Sequence, residues 1–196
     1  MGKKPKPITT PLSVIHSILN YDPGEIVFIE DLGIEMKGTF RWKIPMDNGK
    51  KKIGSLAGCR TGNNKYWKVY IFGQEILAHR LAWYMHQGQD PGVDFLVDHK
   101  EGKTFDNSIE FLRLATGAEN SQNRKTGSNN TTGFKGVYST EQKEKPFGAH
   151  IWFDGLYKKL GTFKTIEQAA LAYKKASIKY HGEFRRGDDL ALSNAV

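Results

Sequence analysis

The spacing of apolar and polar positions changes several times along the chain, and each change marks an element. Leu12 to Leu19 is a short apolar segment of one or two helical turns, ending before the turn residues Asp22-Pro23-Gly24. From Glu25 to Leu77 short runs of aromatic and β-branched residues alternate with glycines. Ile26 to Ile29, Thr39 to Ile44, Lys52 to Leu56 and Tyr66 to Phe72 read as strands, and Gly73-Gln74 turns the chain into Glu75 to Ala78. The expected product is a small antiparallel sheet with Trp42 and Trp67 packed into it. His79 to Gln87 then carries Leu81, Ala82 and Met85 at helical spacing and stops at Gly88. His79 and Arg80 are its polar exceptions. They suit a cap with a surface ion pair, or a place beside a metal or a phosphate.

Two further apolar runs follow, Phe95 to Val97 and Ile109 to Leu114, joined by a polar loop that contains Asn107. Thr116 and Glu119 form a T-x-x-E capping box that predicts a short helix. Asn120, Asn123 and Arg124 fall at i, i+3 and i+4 and are expected on one face of it. Residues 126–133, TGSNNTTG, contain no apolar residue and read as a flexible linker. Beyond it the pattern predicts strands over Phe134 to Tyr138, Phe147 to Phe153 and Leu156 to Phe163. Asp154-Gly155 is the hairpin turn between the last two. Thr165 caps a helix running to His181, with Gly182 at its end. Ala169, Ala172, Tyr173, Ala176 and Tyr180 form the face of that helix that packs on the sheet.

Charge sharpens this division. The chain of 196 residues has a net charge of +8, which points to a polyanion. Residues 125–187 hold 12 Lys and Arg against 5 Asp and Glu, so most of the excess lies in the second half. Cys59 is the only cysteine, which excludes an intrachain disulfide and a cysteine-based zinc site. No apolar run is long enough to span a membrane, and no signal-peptide core follows the basic N-terminus. The expected setting is a reducing cytoplasm. Residues 1–11, basic and proline-punctuated, are expected to be disordered.

The chemistry is concentrated between Val97 and Lys125. Hydrolysis of a phosphodiester needs an activated water, neutralisation of transition-state charge and stabilisation of the leaving oxygen. A histidine of near-neutral pKa can supply the first as general base, and a divalent cation the other two. Asp98 and His99 are adjacent, so on an extended chain they point to opposite sides. Serving one site requires a bend at the strand end, with Asp98 on the cation and His99 on the water. Asn120 would add an amide oxygen. One carboxylate, one amide oxygen and phosphate oxygens are hard ligands, which favour Mg2+ or Mn2+ over zinc.

The ordered pattern of DH, then DN, then EN-x-QN across Leu96 to Arg124 resembles the HNH endonuclease family with its ββα-metal fold. The upstream HRLAW, His79 to Trp83, is similar to the phage and intron-homing branch. The resemblance spans about residues 36–125. It implies His99 as general base, Asp98 and Asn120 as metal ligands, Asn123 assisting them, and Asn107 as the asparagine that braces the loop through backbone hydrogen bonds. His79, Arg80 and Arg124 are expected as DNA contacts. Asn120 stands where other members of the family place a histidine.

The second half resembles the APETALA/ethylene-response-factor DNA-binding domain over about Gly133 to Arg185, through F-K-G-V, L-G-T-F and A-A-x-A-Y. That likeness implies a three-stranded sheet in the major groove, with Lys135, Tyr138, His150, Trp152, Tyr157 and Lys159 toward DNA. Ala149 and Ile151 are expected to face inward. The plant proteins use several arginines where this chain has lysine and aromatic residues, so their site preference does not transfer.

The expected molecule is therefore α+β. A nuclease domain over 1–125, with its ββα-metal core at about 95–125, precedes a linker at 126–133. A three-stranded antiparallel sheet packed on one helix occupies 134–187, and a tail 188–196. The expected activity is metal-dependent cleavage of double-stranded DNA by a site-directed, homing-type nuclease without an organic cofactor. A monomer in a bacterial or phage-infected cytoplasm is the simplest form. The rivals are a DNA-binding protein with an inactive HNH site and an RNA-binding protein, since outward aromatics also suit stacked single strands.

Overall fold

A β-hairpin built on an interrupted strand begins the folded chain. The computed structural model describes residues 5–62, 65–124, 126–127 and 129–185; the expected tail at 188–196 and the first four residues lie outside them. After helix α1 (Leu12–Ile18), strand β1 runs Leu19–Ile29 and pairs antiparallel with β2 (Ile34–Trp42). Asp22-Pro23-Gly24 was expected to end an element, yet β1 passes through it. The Asp22 carboxylate accepts from the amides of Gly24 and Glu25, so the turn residues are absorbed as a bulge between Asp22 and Ile26.

Strands β3 (Cys59–Arg60), β4 (Trp67–Ile71) and β5 (Gln74–Leu77) form a second, three-stranded sheet. Lys52 to Leu56, expected as a strand, forms no regular ladder: Gly54 and Ser55 exchange main-chain hydrogen bonds with Trp42, and single bridges join Lys51 to Met46 and Leu56 to Arg41. Helix α2 (Ala78–Gln87) follows β5 directly and ends at Gly88, in the left-handed region with φ 81°. Strands β6 (Leu96–His99) and β7 (Leu112–Ala115) make an antiparallel pair, with a 3-10 turn at Ile109–Phe111 before β7. Phe40, Trp42, Val69, Ile71, Leu81 and Val97 are buried in one core. Trp67 packs there too and donates its indole N–H to the Ala57 carbonyl at 2.9 Å. Each such side chain contributes about 1.5–3 kcal/mol by leaving water.

The arm ahead of α1 is held rather than loose from Pro7 onward. Ile8 is buried, its amide donates to Asp90 Oδ2 at 2.7 Å, and the Gln74 side chain bonds both Pro7 and Thr9. The apolar Ile8 anchors what composition alone marked as a tail.

Two compact units divide the chain between Thr116 and Gly117. Helix α3 (Gly117–Gln122) thus falls with the second unit, ahead of the expected linker. One cause is Lys135, whose ammonium donates to the carbonyls of Gln122 and Arg124 and so ties the end of α3 to the strand region. The expected linker is likewise more than a tether. Asn130 donates its amide to the Phe134 carbonyl at 2.9 Å, and Thr132 donates its hydroxyl to Val137 at 3.0 Å. Strands β8 (Val137–Ser139), β9 (Phe147–Phe153) and β10 (Leu156–Phe163) form an antiparallel sheet in the order β10-β9-β8. Helix α4 (Ile166–His181) opens with the Thr165 hydroxyl accepting from the Gln168 amide, as the capping pattern predicts. Ala149, Ile151, Ala169, Tyr173 and Ala176 are buried between sheet and helix. Among the described residues no helix is long and apolar enough to cross a membrane.

One close approach in the first unit fixes a loop that the site depends on. Lys37 of β2 donates its amide to the Phe105 carbonyl and accepts from the Asn107 amide, and the Tyr21 hydroxyl donates to the Asn107 carbonyl. Gly38 makes this possible, because at φ +70° a Cβ there would lie 2.6 Å from the Asn107 carbonyl carbon and the Ser108 nitrogen. Gly38→Ala is expected to lower stability by about 2–4 kcal/mol, combining backbone strain with overpacking. Gly33→Ala, at φ +61° in open space, should cost only about 1 kcal/mol. Urea melts of the two variants check the difference.

Candidate active site

Strand β6 brings a carboxylate and an imidazole into the interior at neighbouring positions. Its pairing with β7 is regular, Asp98 opposite Arg113 and His99 opposite Leu112. The expected bend therefore does not fall between Asp98 and His99. The chain turns just after them, where the Gly102 amide donates to the His99 carbonyl at 2.8 Å.

Asp98 is 8% exposed and its Oδ2 accepts two charge-assisted hydrogen bonds from Arg113, at 3.1 Å from Nε and 2.9 Å from the terminal nitrogen. Arg113 is itself buried. A buried carboxylate needs such a partner, since desolvation without one costs several kcal/mol. The cross-strand register supplies it directly.

His99 is 4% exposed and stands among Tyr66, His79 and Asn107. Burial pushes its pKa below the ordinary 6.5, opposed by the Asn107 side chain and by the negative charges of Asp98 and Asp106. Asn107 is fully buried. Its main chain carries the hydrogen bonds that hold the loop, while its amide group meets the His99 ring without forming a hydrogen bond of full geometry.

The remaining expected residues separate into two groups. His79 lies in the first turn of α2, is 6% exposed, and packs edge-on to His99 with ring centroids 4.9 Å apart. It is neither a helix cap nor a surface residue. Burial, with His99 and Arg80 adding to it, holds its pKa well below 6.5. Arg80, expected toward DNA, is 5% exposed and ion-paired to Asp90 at 2.9 Å, with the Gly92 carbonyl as a further acceptor. Its guanidinium joins α2 to the following loop and, through Asp90, to the Ile8 amide.

In the second unit Asn120 lies on α3, but the helix ends at Gln122, so Asn123 and Arg124 do not continue its face. Six polar or small residues with no apolar stripe do not extend the helix further. Asn123 is buried, Asn120 half-buried and Arg124 exposed. Lys135, expected on DNA, closes the end of α3 as described above. The other residues expected to face DNA form a row across the sheet. Tyr138 and His150 lie 5.5 Å apart, His150 and Tyr157 5.1 Å, and Tyr157 and Trp152 5.1 Å, with Trp152 57% exposed. Gly148 leaves room for the Tyr138 ring, which a Cβ there would strike at 2.4 Å. Lys159 is exposed and opposite His150 in register.

Arg113 and Tyr66 were not singled out from the sequence. Arg113 had a signal, a charge flanked by Leu112 and Leu114 inside the run Ile109 to Leu114, where burial requires a partner. Tyr66 had none, because it meets His99 only through the tertiary fold.

Comparison with known proteins bears on what these residues do. Residues 77–122 match the HNH endonuclease family, a span that includes His79, Asp98, His99, Asn107 and Asn120. Protein 3.8 of Escherichia phage T7 is 30% identical over 108 residues, covering 55% of this chain and 87% of that protein. An uncharacterized HNH endonuclease of Acanthamoeba polyphaga mimivirus is 31% identical over 148 residues, covering 76% of this chain and 74% of its own. No solved structure matches the chain.

Two measurements test the buried charges. Arg113→Met strands the Asp98 carboxylate and should cost about 3–5 kcal/mol. The double variant with Asp98→Asn should lose clearly less than the sum of the single losses, because the two sites share one interaction. The second concerns pH. His79 is neutral in the fold, while its unfolded pKa is near 6.5, so below that pH the unfolded chain binds more protons. Stability present above pH 6.5 is then lost as the pH falls, by up to about 1.4 kcal/mol per unit for this histidine. Denaturation midpoints between about pH 7.5 and about pH 5 should fall less steeply in His79→Phe than in the wild type.

Proposed function

The chain belongs to the HNH endonuclease family, and from that premise we propose that it is a metal-dependent endonuclease hydrolysing phosphodiester bonds in double-stranded DNA. The observation that carries this reading is His99, a buried imidazole kept neutral beside the carboxylate of Asp98 inside the family's matched span. A neutral imidazole can accept a proton from water near neutral pH, which a protonated one cannot.

The donor chemistry suits a hard cation. Asp98 offers a carboxylate held in one orientation by Arg113. Among the described residues no group of three or more His, Cys, Asp or Glu is placed to hold a metal ion, so the reading relies on one carboxylate and amide oxygens. One carboxylate with amide oxygens fits Mg2+ or Mn2+, which keep part of their water shell. By their positions in the family pattern, Asp98 and Asn120 would hold the ion and Asn123 would assist. When bound, such an ion neutralises charge on the phosphate and stabilises the leaving oxygen. The protein's own part is separate. His99 takes the proton of the attacking water on its ring nitrogen, Asn107 fixes the loop beside it, and Arg113 holds Asp98 in place.

In this reading the three-stranded sheet of the second unit supplies DNA affinity through Tyr138, His150, Trp152, Tyr157 and Lys159, with Arg124 adding a phosphate contact. Covalent tethering raises the local DNA concentration at the nuclease unit without any new contact. In this reading the enzyme is a site-directed, mobile nuclease that acts as a monomer in the cytoplasm of an infected host, a setting in keeping with the phage and giant-virus origin of its relatives.

The test is supercoiled plasmid incubated with Mg2+ or Mn2+. Wild type should give nicked or linear product. His99→Ala should slow cleavage by about 10²–10⁴-fold while still shifting DNA in a gel, and Asp98→Ala should also lose metal-dependent cutting. Cleavage undiminished in His99→Ala would put the active site elsewhere, and binding without cutting in either metal would favour an inactive DNA-binding protein.

A further inference from the structure

We propose that His79 is a positioning residue for His99, its ring lying edge-on against the imidazole and setting the orientation in which that imidazole meets water. This rests on the nuclease reading above and adds to it a residue that touches neither DNA nor metal.

Three observations carry it. The two rings meet at 4.9 Å between centroids and 70° between planes, the edge-to-face arrangement in which the positive rim of one ring approaches the negative face of the other. Tyr66 completes the enclosure, 5.3 Å from His79 and 6.2 Å from His99. The carrier is also stiff. His79 sits in the first turn of α2, next to Arg80, which is locked to Asp90, and close to the fully buried Leu81 and Ala82. Burial excludes the two simpler duties of a histidine at a helix start, a cap or a surface phosphate contact.

Stability alone does not account for an imidazole here. Nδ1 of His79 is buried and makes no hydrogen bond, which costs about 1–3 kcal/mol relative to an apolar side chain of similar size. Burial also keeps His79 uncharged, so it meets the base as a neutral ring and adds no repulsion when His99 takes up a proton.

The mechanism requires a base held to a narrow range of orientation. A misplacement of about 1 Å in such a group costs on the order of 10²-fold in rate. His79→Ala opens space beside His99, His79→Leu fills it without a polarised ring edge, and His79→Phe restores the edge. In full-length protein, His79→Ala and His79→Leu should each lower kcat by about 10–100-fold with KM and gel-shift affinity nearly unchanged. His79→Phe should recover about tenfold of that loss. The imidazole proton resonances of His99, followed by NMR, should form a single sharp set in wild type and His79→Phe and move to averaged positions in His79→Leu.

A leucine variant as active as the phenylalanine variant overturns the proposal. So does a loss confined to KM or DNA affinity. Should His79→Ala fail to fold, the Leu and Phe pair decides alone. If wild type cuts no DNA, the nuclease reading fails on its own evidence, and the NMR comparison still decides whether His79 orders the His99 ring.

Discussion

The first unit must keep a carboxylate and an imidazole out of water on consecutive residues of a four-residue strand, Leu96–His99. Desolvation resists both, in different ways. A buried carboxylate must find a cation or take up a proton, and here the antiparallel register sets Arg113 across from it. A buried imidazole answers by staying neutral, which for a general base is the useful state. One strand pair therefore yields a fixed anion and a neutral imidazole at consecutive positions. Replacing the ion pair by apolar residues could leave the fold equally stable. It would also remove the carboxylate that the proposed metal site uses.

Around that pair the first unit contributes supports more than reactive groups. β2 grips the 105–107 loop through both main-chain groups of Lys37, and only a glycine at position 38 lets the two backbones come so close. α2 presents His79 to His99 from one side, and the Arg80–Asp90 pair ties that helix to the segment after it and to the arm at Ile8. Arg80 and His79 adjoin in sequence yet serve different ends. The arginine satisfies its charge within the scaffold, and the histidine gives up its charge to lie against the His99 ring.

How much of this was legible depended on whether the information was local. The second unit's strands and its capped helix followed from period-two runs, an Asp-Gly turn and Thr165 three residues before Gln168, all signals contained in a few residues. The chemical roles proposed for Asp98 and His99 came from a motif with the same short range. What stayed hidden was set by partners distant in sequence. Lys52 to Leu56 has strand composition but meets only the end of β2, through main-chain hydrogen bonds to Trp42 and one bridge to Arg41, and forms no regular ladder. Asp22-Pro23-Gly24 has turn chemistry, yet pairing with β2 outweighs it and the turn becomes a bulge. Arg80 and Lys135 looked like surface cations because their acceptors, Asp90 in one case and the carbonyls at the end of α3 in the other, cannot be seen from neighbouring residues.

With Lys135 engaged inside the fold, the outer face of the three-stranded sheet has a distinct chemical character. Its accessible groups are three aromatic rings and an imidazole in contact with one another, with Lys159 beside them. A guanidinium reads guanine through two parallel hydrogen bonds, and this row contains none. Rings that touch each other also lose side-chain freedom before any ligand arrives, which lowers the entropy cost of binding. Such a face is better built to pack against sugars, thymine methyl groups and base edges than to recognise a base by paired hydrogen bonds. If it lies on DNA as proposed, it would give affinity with relaxed sequence preference. Selectivity for a site would then also depend on how easily the duplex deforms to present a phosphodiester to His99.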